Sequence, residues 1–140
     1  MTNPRENQNP GQDNGKIMEN TTVKKIGLEN NQTLFISDLS RKISEDAYVV
    51  IVKATMEITI EKQLFLNDRI SDFKFEDILS TLGDTAIYEH KIERNFIMAD
   101  AKEEVFETLV KTFLDNQGQY LANPKFPGKF VLKEYKDQRQ

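Results

Sequence analysis

Apolar and polar residues alternate along two long stretches of the chain, and this period-two pattern predicts β-strands. In residues 48–60, the apolar positions of one face are Val50, Val52, Ala54, Met56, Ile58 and Ile60. The other face is apolar at Val49 and Ile51 and mostly polar from Lys53 onward. This change is typical of a central strand whose far end is open to solvent on one side. Thirteen extended residues exceed the usual strand length, so we expect a bend or a bulge.

The second alternating stretch, residues 85–97, predicts another long strand with one apolar and one solvated face. The positions of its apolar side are Ala86, Tyr88, His90, Ile92, Arg94 and Phe96. Two weaker patterns predict a strand over residues 33–43 and a short edge strand over residues 23–28. The links between the first three strands are short, which favours antiparallel neighbours.

Helical periodicity appears first in residues 72–82. Apolar side chains recur there at i, i+3, i+4 and i+7. Ser71 or Asp72 can cap the start of this helix, and Gly83 suits its end. We therefore predict a short helix between the two long strands.

A second helix is predicted over residues 100–114, where Asp100 and Glu103 have the spacing of a capping box. Its wide apolar stripe consists of Val105, Phe106, Leu109, Val110, Phe113 and Leu114. The stripe has two interpretations, since it can form the core of the monomer or exceed what one small sheet can cover.

The element order is strand, strand, strand, helix, strand, helix. It predicts an α+β fold, an antiparallel sheet of about four strands with two helices packed on one face. Residues 1–22 predict a disordered N-terminal tail, because they hold too few apolar side chains to offset the entropy of ordering the backbone. Residues 23–140 form the single predicted domain, which ends in a C-terminal arm, residues 124–140. Within the arm, residues 130–135 fit neither the strand nor the helix period cleanly.

The amino-acid composition says more about where the protein is located than about its activity. The chain has 140 residues, no cysteine and a formal net charge of −4. Disulfides and thiolate chemistry are thereby excluded. The N-terminus lacks the apolar stretch of a secretory signal, and no apolar run is long enough to span a bilayer. We therefore expect a cytoplasmic protein without a membrane partner, and the negative charge argues against general nucleic-acid binding.

His90 is the only histidine of the chain, which makes it the first candidate for a general base. Tyr88 is predicted on the same face, so a pocket beside these two residues would suit a small hydrolase or isomerase. The alternative interpretation, which we favour, is a packed or edge histidine, because no catalytic motif surrounds it.

The remaining polar residues carry no motif for a metal ion or a cofactor, and we predict neither. A single histidine without cysteine is a poor zinc site, and the glycines are too scattered for a phosphate-binding loop. Glu89 and Glu93 share the solvated face of their strand. With Glu57 and Glu61 of a neighbouring strand they would form an acidic patch for a hard cation. The interpretation that we favour is cross-strand pairing with Lys53, Lys91 and Lys62 at the solvated surface.

The C-terminal arm alternates basic and aromatic residues: Lys125, Phe126, Lys129, Phe130, Lys133, Tyr135 and Lys136. Through charge and stacking, these residues would hold an acidic partner or single-stranded nucleic acid. The alternative, again the favoured one, is that the aromatic side chains anchor the arm to the domain while the lysines stay solvated.

Together these patterns lead to a non-enzymatic protein-interaction module, of which a homodimer is the simplest form. Self-association is predicted at an unprotected sheet edge or through the helix at residues 100–114. The hydrolase or isomerase at His90 and Tyr88 is the alternative function. Binding of nucleic acid or an acidic partner by the arm is the weaker alternative.

Overall fold

The computed structural model of the chain describes residues 21–65 and 70–138. The predicted tail, residues 1–22, therefore lies outside the described residues except for Thr21 and Thr22. The described strands are β1 (Thr22–Gly27), β2 (Thr33–Asp38), β3 (Arg41–Lys42), β4 (Ala47–Thr59) and β5 (Thr85–Met98). The helices are α1 (Asp72–Leu82), α2 (Lys102–Ala122) and α3 (Phe126–Gln138), with short 3-10 turns at Lys62–Phe65 and Ala99–Ala101. The predicted α+β class with an antiparallel sheet is confirmed.

The sheet is built around β4. On one side β4 pairs with β2 and β3, on the other side with β5, and β1 adds to the outer side of β2. Every one of these pairs is antiparallel. The described sheet therefore has a long edge at β5 and, on the opposite side, an edge formed by the two short strands β1 and β3.

β2 and β3 are two parts of the strand predicted over residues 33–43. Both keep the same register against β4, since Phe35 faces Thr55 and Arg41 faces Val49. Between them the amide of Leu39 still donates to the carbonyl of Ile51, at 3.0 Å. The interruption explains why the structure counts five strands where the pattern predicts about four.

The expected irregularity of the long strands lies at the far end of β5. Tyr48 faces Ile97 but Val50 faces Arg94, so Asn95 and Phe96 together oppose the one remaining residue of β4, Val49. This is a β-bulge, and the backbone of Phe96 has a φ of 56°, in the left-handed region that a bulky side chain rarely adopts. The predicted place of Phe96 on the apolar face is wrong, because the extra residue changes the alternation. Its side chain is 77% exposed.

One hydrophobic core lies between the sheet and the helices. Its best-buried strand residues are Leu34, Ile36, Val50, Val52, Ala54, Met56 and Ile58. From α2, the buried residues are Phe106, Leu109, Val110, Phe113 and Leu121. The apolar stripe of α2 is thus buried against the protein's own sheet, most closely against β4.

The bounds of α1 are those predicted. The hydroxyl of Ser71 accepts a hydrogen bond from the amide of Lys74 at 3.0 Å, and Gly83, with a φ of 85°, donates to the carbonyl of Leu79. α2 differs from its prediction. It begins at Lys102 after a 3-10 turn with no side-chain cap, so the expected capping box at Asp100 is not formed. It also continues to Ala122, where the proline at position 124 disfavours helical geometry for Asn123.

The predicted C-terminal arm is not an extension beyond two helices. Its described part forms a third helix, α3. Tyr88 on β5 contacts Phe126 and Phe130 of α3 edge to face, at 5.8 and 5.9 Å between ring centroids. His90 on the same face of β5 contacts Phe113 of α2. α2 and α3 therefore pack on one face of the sheet, and α1 packs against α3.

Thr55 lies on the other face of β4, away from α2 and α3, and it is also buried. It is 5% exposed, and its hydroxyl oxygen has no hydrogen-bond partner among the described residues. Replacing such a hydroxyl with an isosteric methyl group removes the cost of desolvating it. We predict that Thr55→Val raises the free energy of unfolding by about 1 kcal/mol, measured by urea denaturation. Thr59→Val, at an exposed position of the same face, is the control and should change stability little; a destabilised Thr55→Val protein would contradict the prediction.

Candidate functional surfaces

The edge of β5 is the longest unpaired backbone surface in the described part of the chain. β5 has 14 residues, and within the described residues its main chain pairs with β4 alone. In an antiparallel ladder, the N–H and C=O of one residue point to the same side, and the side alternates along the strand. The hydrogen bonds of β4 fix which residues of β5 point outward.

Two hydrogen bonds at the ends of the β4–β5 pair establish this phase. The amide of Ile60 donates to the carbonyl of Asp84 at 2.9 Å, and the amide of Ala99 donates to the carbonyl of Asp46 at 2.8 Å. The main-chain N–H and C=O groups of even-numbered residues of β4 therefore point toward β5. Those of their even-numbered partners on β5, before the bulge, point back toward β4. The main-chain groups that point away from the sheet belong to Thr85, Ile87, Glu89, Lys91 and Glu93.

The side chains of this edge on the face away from the helices alternate in charge. Glu89, Lys91 and Glu93 are all exposed. Glu89 pairs with Lys53 of β4 at 3.6 Å, which agrees with the predicted strand-to-strand carboxylate–lysine pairing. Lys91 lies directly opposite Lys53 in the register, an unfavourable pairing of like charges. Among the described residues, no carboxylate forms an ion pair with Lys91.

His90 and Tyr88 lie on one face of β5, two residues apart, but in different surroundings. His90 is exposed and stacks on Phe113, with 5.4 Å between ring centroids and 20° between ring planes. Tyr88 is half-buried between the rings of Phe126 and Phe130. The described residues give His90 no hydrogen bond and no ion pair. The imidazole is thus an exposed side chain at the edge of the sheet, held by its stacking on Phe113.

Three surface clefts are lined wholly by described residues other than this pair. The largest of the three, about 740 Å³, is lined at the opposite end of β4 by residues that include Glu57, Glu61 and Lys125. The other two lie along β1 and between β1 and α2. Over residues 21–65 and 70–138, no cluster of three or more carboxylate or histidine side chains could hold a metal ion.

Burial of Tyr88 has a consequence for stability at high pH. Burial, and then the nearby Tyr120, raise the pKa of the Tyr88 phenol above its usual value. Above a pH of about 10 the unfolded chain loses this proton while the folded protein keeps it, so the folded state becomes less stable as pH rises. We predict that Tyr88→Phe lowers the slope of this loss, measured as the free energy of unfolding between pH 9 and 11. Equal slopes in the two proteins would contradict the assigned pKa.

α3 separates the basic and aromatic residues of the predicted arm onto two sides. Phe126 and Tyr135 are buried and Phe130 is half-buried, whereas Lys125, Lys129, Lys133 and Lys136 are exposed. The lysine spacing of four, four and three residues places these cations along one side of the helix. Lys133 pairs with Asp137 at 3.1 Å, and this hydrogen-bonded pair raises the pKa of the lysine. The aromatic rings anchor the helix, so among these basic and aromatic residues only the lysines are fully exposed.

The anchor of α3 includes one polar contact, in which the hydroxyl of Tyr135 donates a hydrogen bond to a carboxylate oxygen of Asp77 on α1. Tyr135→Phe keeps the buried ring but removes the donor. A partly buried hydrogen bond to a charged group contributes about 1.5 kcal/mol, so we predict a loss of stability of about that size in urea denaturation. Lys136→Ala, on the solvated side, is the matched control; if both variants unfold at the same urea concentration, the contact contributes nothing.

Sequence patterns missed the exposed apolar side chains at the far end of β5. Phe96 and Met98 are exposed although both follow an apolar alternation. Phe96 lies in the bulge, whose position depends on the pairing with β4, and we find no local signal for it in the sequence. These two side chains extend the β5 surface beyond its regular part.

Comparisons of the chain with models of known protein families, with curated proteins and with solved structures found no match. Within the described residues, no helix is both long enough and apolar enough to cross a membrane.

Proposed function

We propose that this protein is a non-enzymatic protein-interaction module that self-associates by adding a strand at the edge of β5. The observation that supports this proposal is the free edge itself, which is regular from Thr85 to Arg94 and exposes the main-chain groups of five residues. Strand addition at such an edge derives its affinity from main-chain hydrogen bonds and its specificity from the alternating side chains.

The two edges of the sheet differ in how well they resist pairing. Proteins usually protect an edge by making it short, by a bulge, or by charged side chains, especially lysines. β1 combines these features, since it has six residues, a bulge between Thr22 and Lys24, and exposed lysines at positions 24 and 25. β5 is more than twice as long. Its bulge lies only at its far end, and its one exposed lysine stands between two glutamates, so its charges alternate in sign. We therefore assign the interaction to β5.

The other candidate functions have less support. The surroundings of His90 supply no second catalytic group among the described residues, so no observation favours a hydrolase or isomerase. The aromatic rings of α3 are themselves buried or half-buried, and the exposed ring beside them is Tyr120 of α2. The lysines of α3 therefore have little of the stacking surface of a single-strand nucleic-acid site. The stripe of α2 is occupied by the core. A cytoplasmic location remains our proposal, and the absence of cysteine fits such a reducing compartment.

The edge can be tested with a proline at position 91. The amide of Lys91 points outward, so Lys91→Pro removes a donor from the free edge while leaving the hydrogen bonds to β4 in place. We expect Lys91→Pro to abolish self-association in light scattering after size exclusion. Lys91→Thr, which also loses the charge but keeps the amide, should retain much more of it.

Hydrogen exchange of individual amides provides the second measurement. At protein concentrations where the chain self-associates, the outward amides of Ile87, Glu89 and Glu93 should exchange more slowly than in the Lys91→Pro protein. A chain that is monomeric at all concentrations, or one that self-associates equally well with proline at position 91, would overturn the proposed function.

A further inference from the structure

The order of charges along β5 assigns a register to its pairing with a second copy. When two identical antiparallel strands pair about a two-fold axis perpendicular to the sheet, one residue lies on the axis and faces its own copy. Its two neighbours in sequence then face each other across the interface. The register is therefore fixed by the residue on the axis.

The bulge limits which residues can pair. β5 is regular only up to Arg94, because Asn95 and Phe96 leave the alternation. An axis at residue 89 or 90 pairs about nine residues of each strand, whereas an axis at residue 92 pairs only about five, counted on the regular alternation of an antiparallel ladder. Length alone thus favours an axis at Glu89 or His90.

Charge decides between these two positions. An axis at Glu89 places two Glu89 carboxylates opposite each other, and an axis at Lys91 does the same for two ammonium groups, both of which are unfavourable. An axis at His90 instead places each Glu89 opposite the Lys91 of the other copy, twice by symmetry. On the helix side it places Tyr88 opposite Ile92, a pairing of an aromatic and a β-branched side chain that stabilises sheets.

Contacts within one chain support the same choice. Lys91 lies opposite Lys53 and has no carboxylate partner among the described residues, while Glu89 is held by Lys53 from the other side. Pairing about His90 gives Lys91 the carboxylate that its own chain does not supply. Each Glu89 then lies between two cations, Lys53 of its own chain and Lys91 of the second copy.

We infer that the partner of β5 is β5 of a second copy, paired antiparallel about a two-fold axis at His90, with reciprocal Glu89–Lys91 ion pairs on the face away from the helices. This inference rests on the proposed function and deepens it, since it names the partner and the register. Each imidazole then lies beside its own copy at the centre of the interface, above Phe113.

Single cysteines measure the register directly, because the chain has no cysteine of its own. Position 90 faces β4 with its main chain, so on the outer side it forms a non-hydrogen-bonded pair. The Cα atoms of such a pair are about 4.5 Å apart, within the range of a disulfide. We expect His90→Cys to form a disulfide-linked dimer under mild oxidation by copper phenanthroline, seen on a non-reducing gel.

The cysteines at neighbouring positions serve as competing outcomes. Glu89→Cys, Lys91→Cys and Ile92→Cys each report an axis at their own position, and Lys133→Cys on α3 controls for random collision. If one of the three neighbours forms the disulfide faster than His90→Cys, the assigned register is overturned. If none of the four exceeds Lys133→Cys, pairing through the regular part of β5 is overturned as well.

Charge reversal tests the register without a thiol. With the axis at His90, Glu89→Lys should raise the dissociation constant of the dimer by about tenfold or more, because both ion pairs become repulsive. The double variant Glu89→Lys, Lys91→Glu restores opposite charges and should recover most of the affinity. Glu93→Lys should change little, because residue 93 then faces Ile87. Analytical ultracentrifugation gives the constants, and thermal melting checks that each variant is folded.

The two levels of the proposal fail in different ways. A dimer that is lost with Lys91→Pro but responds to Glu93→Lys more than to Glu89→Lys keeps the proposed function and overturns the register. A dimer that is insensitive to Lys91→Pro overturns both.

Discussion

Burial of one face of β4 beneath α2 is the interaction on which the remaining structure depends. Alternate residues from Val50 to Ile58 are at most 1% exposed, and they meet the apolar stripe of α2, including Phe106 and Val110. β4 also pairs with strands on both of its sides, β2 and β3 on one and β5 on the other. Its length therefore sets both the size of this core and the extent of the strands that pair with it. β5 pairs along nearly the whole length of β4. The long free edge of the sheet is thus a direct result of the length of its central strand.

The sequence predicts the parts of the fold that have a clean period. β4 and β5 each have one apolar face and one polar face over much of their length, so alternation locates both. α1 carries its own start and stop signals, Ser71 and Gly83. The third helix was missed for a local reason, since Pro127 and Gly128 are typical of turns. In α3, however, the proline lies in the first turn, where its missing N–H has no helical partner to lose.

The candidate surface is harder to predict because it depends on strand order. The residues of β5 show by themselves that one face is charged, but they do not show that β5 lies at an edge or which amides point outward. Both facts come from the register with β4. The bulge at Phe96 is also a product of pairing. Conversely, the separation of aromatic anchors from solvated lysines in α3 follows from residue type alone, since burying an unpaired ammonium group is costly.

The contrast between the two sheet edges has a consequence for how large an assembly can become. Pairing about a two-fold axis uses the long edge of each copy and leaves only the short edge strands β1 and β3 at either end of the joined sheet. The longer of these two is β1. On β1, Lys24 pairs with Glu107 of α2 and Lys25 lies over the ring of Phe35. These lysines therefore make their contacts within their own chain. The bulge at Thr22 further breaks the ladder that a third copy would extend. Under this pairing, growth stops at two chains, and a protein with an open strand avoids polymerising into fibres.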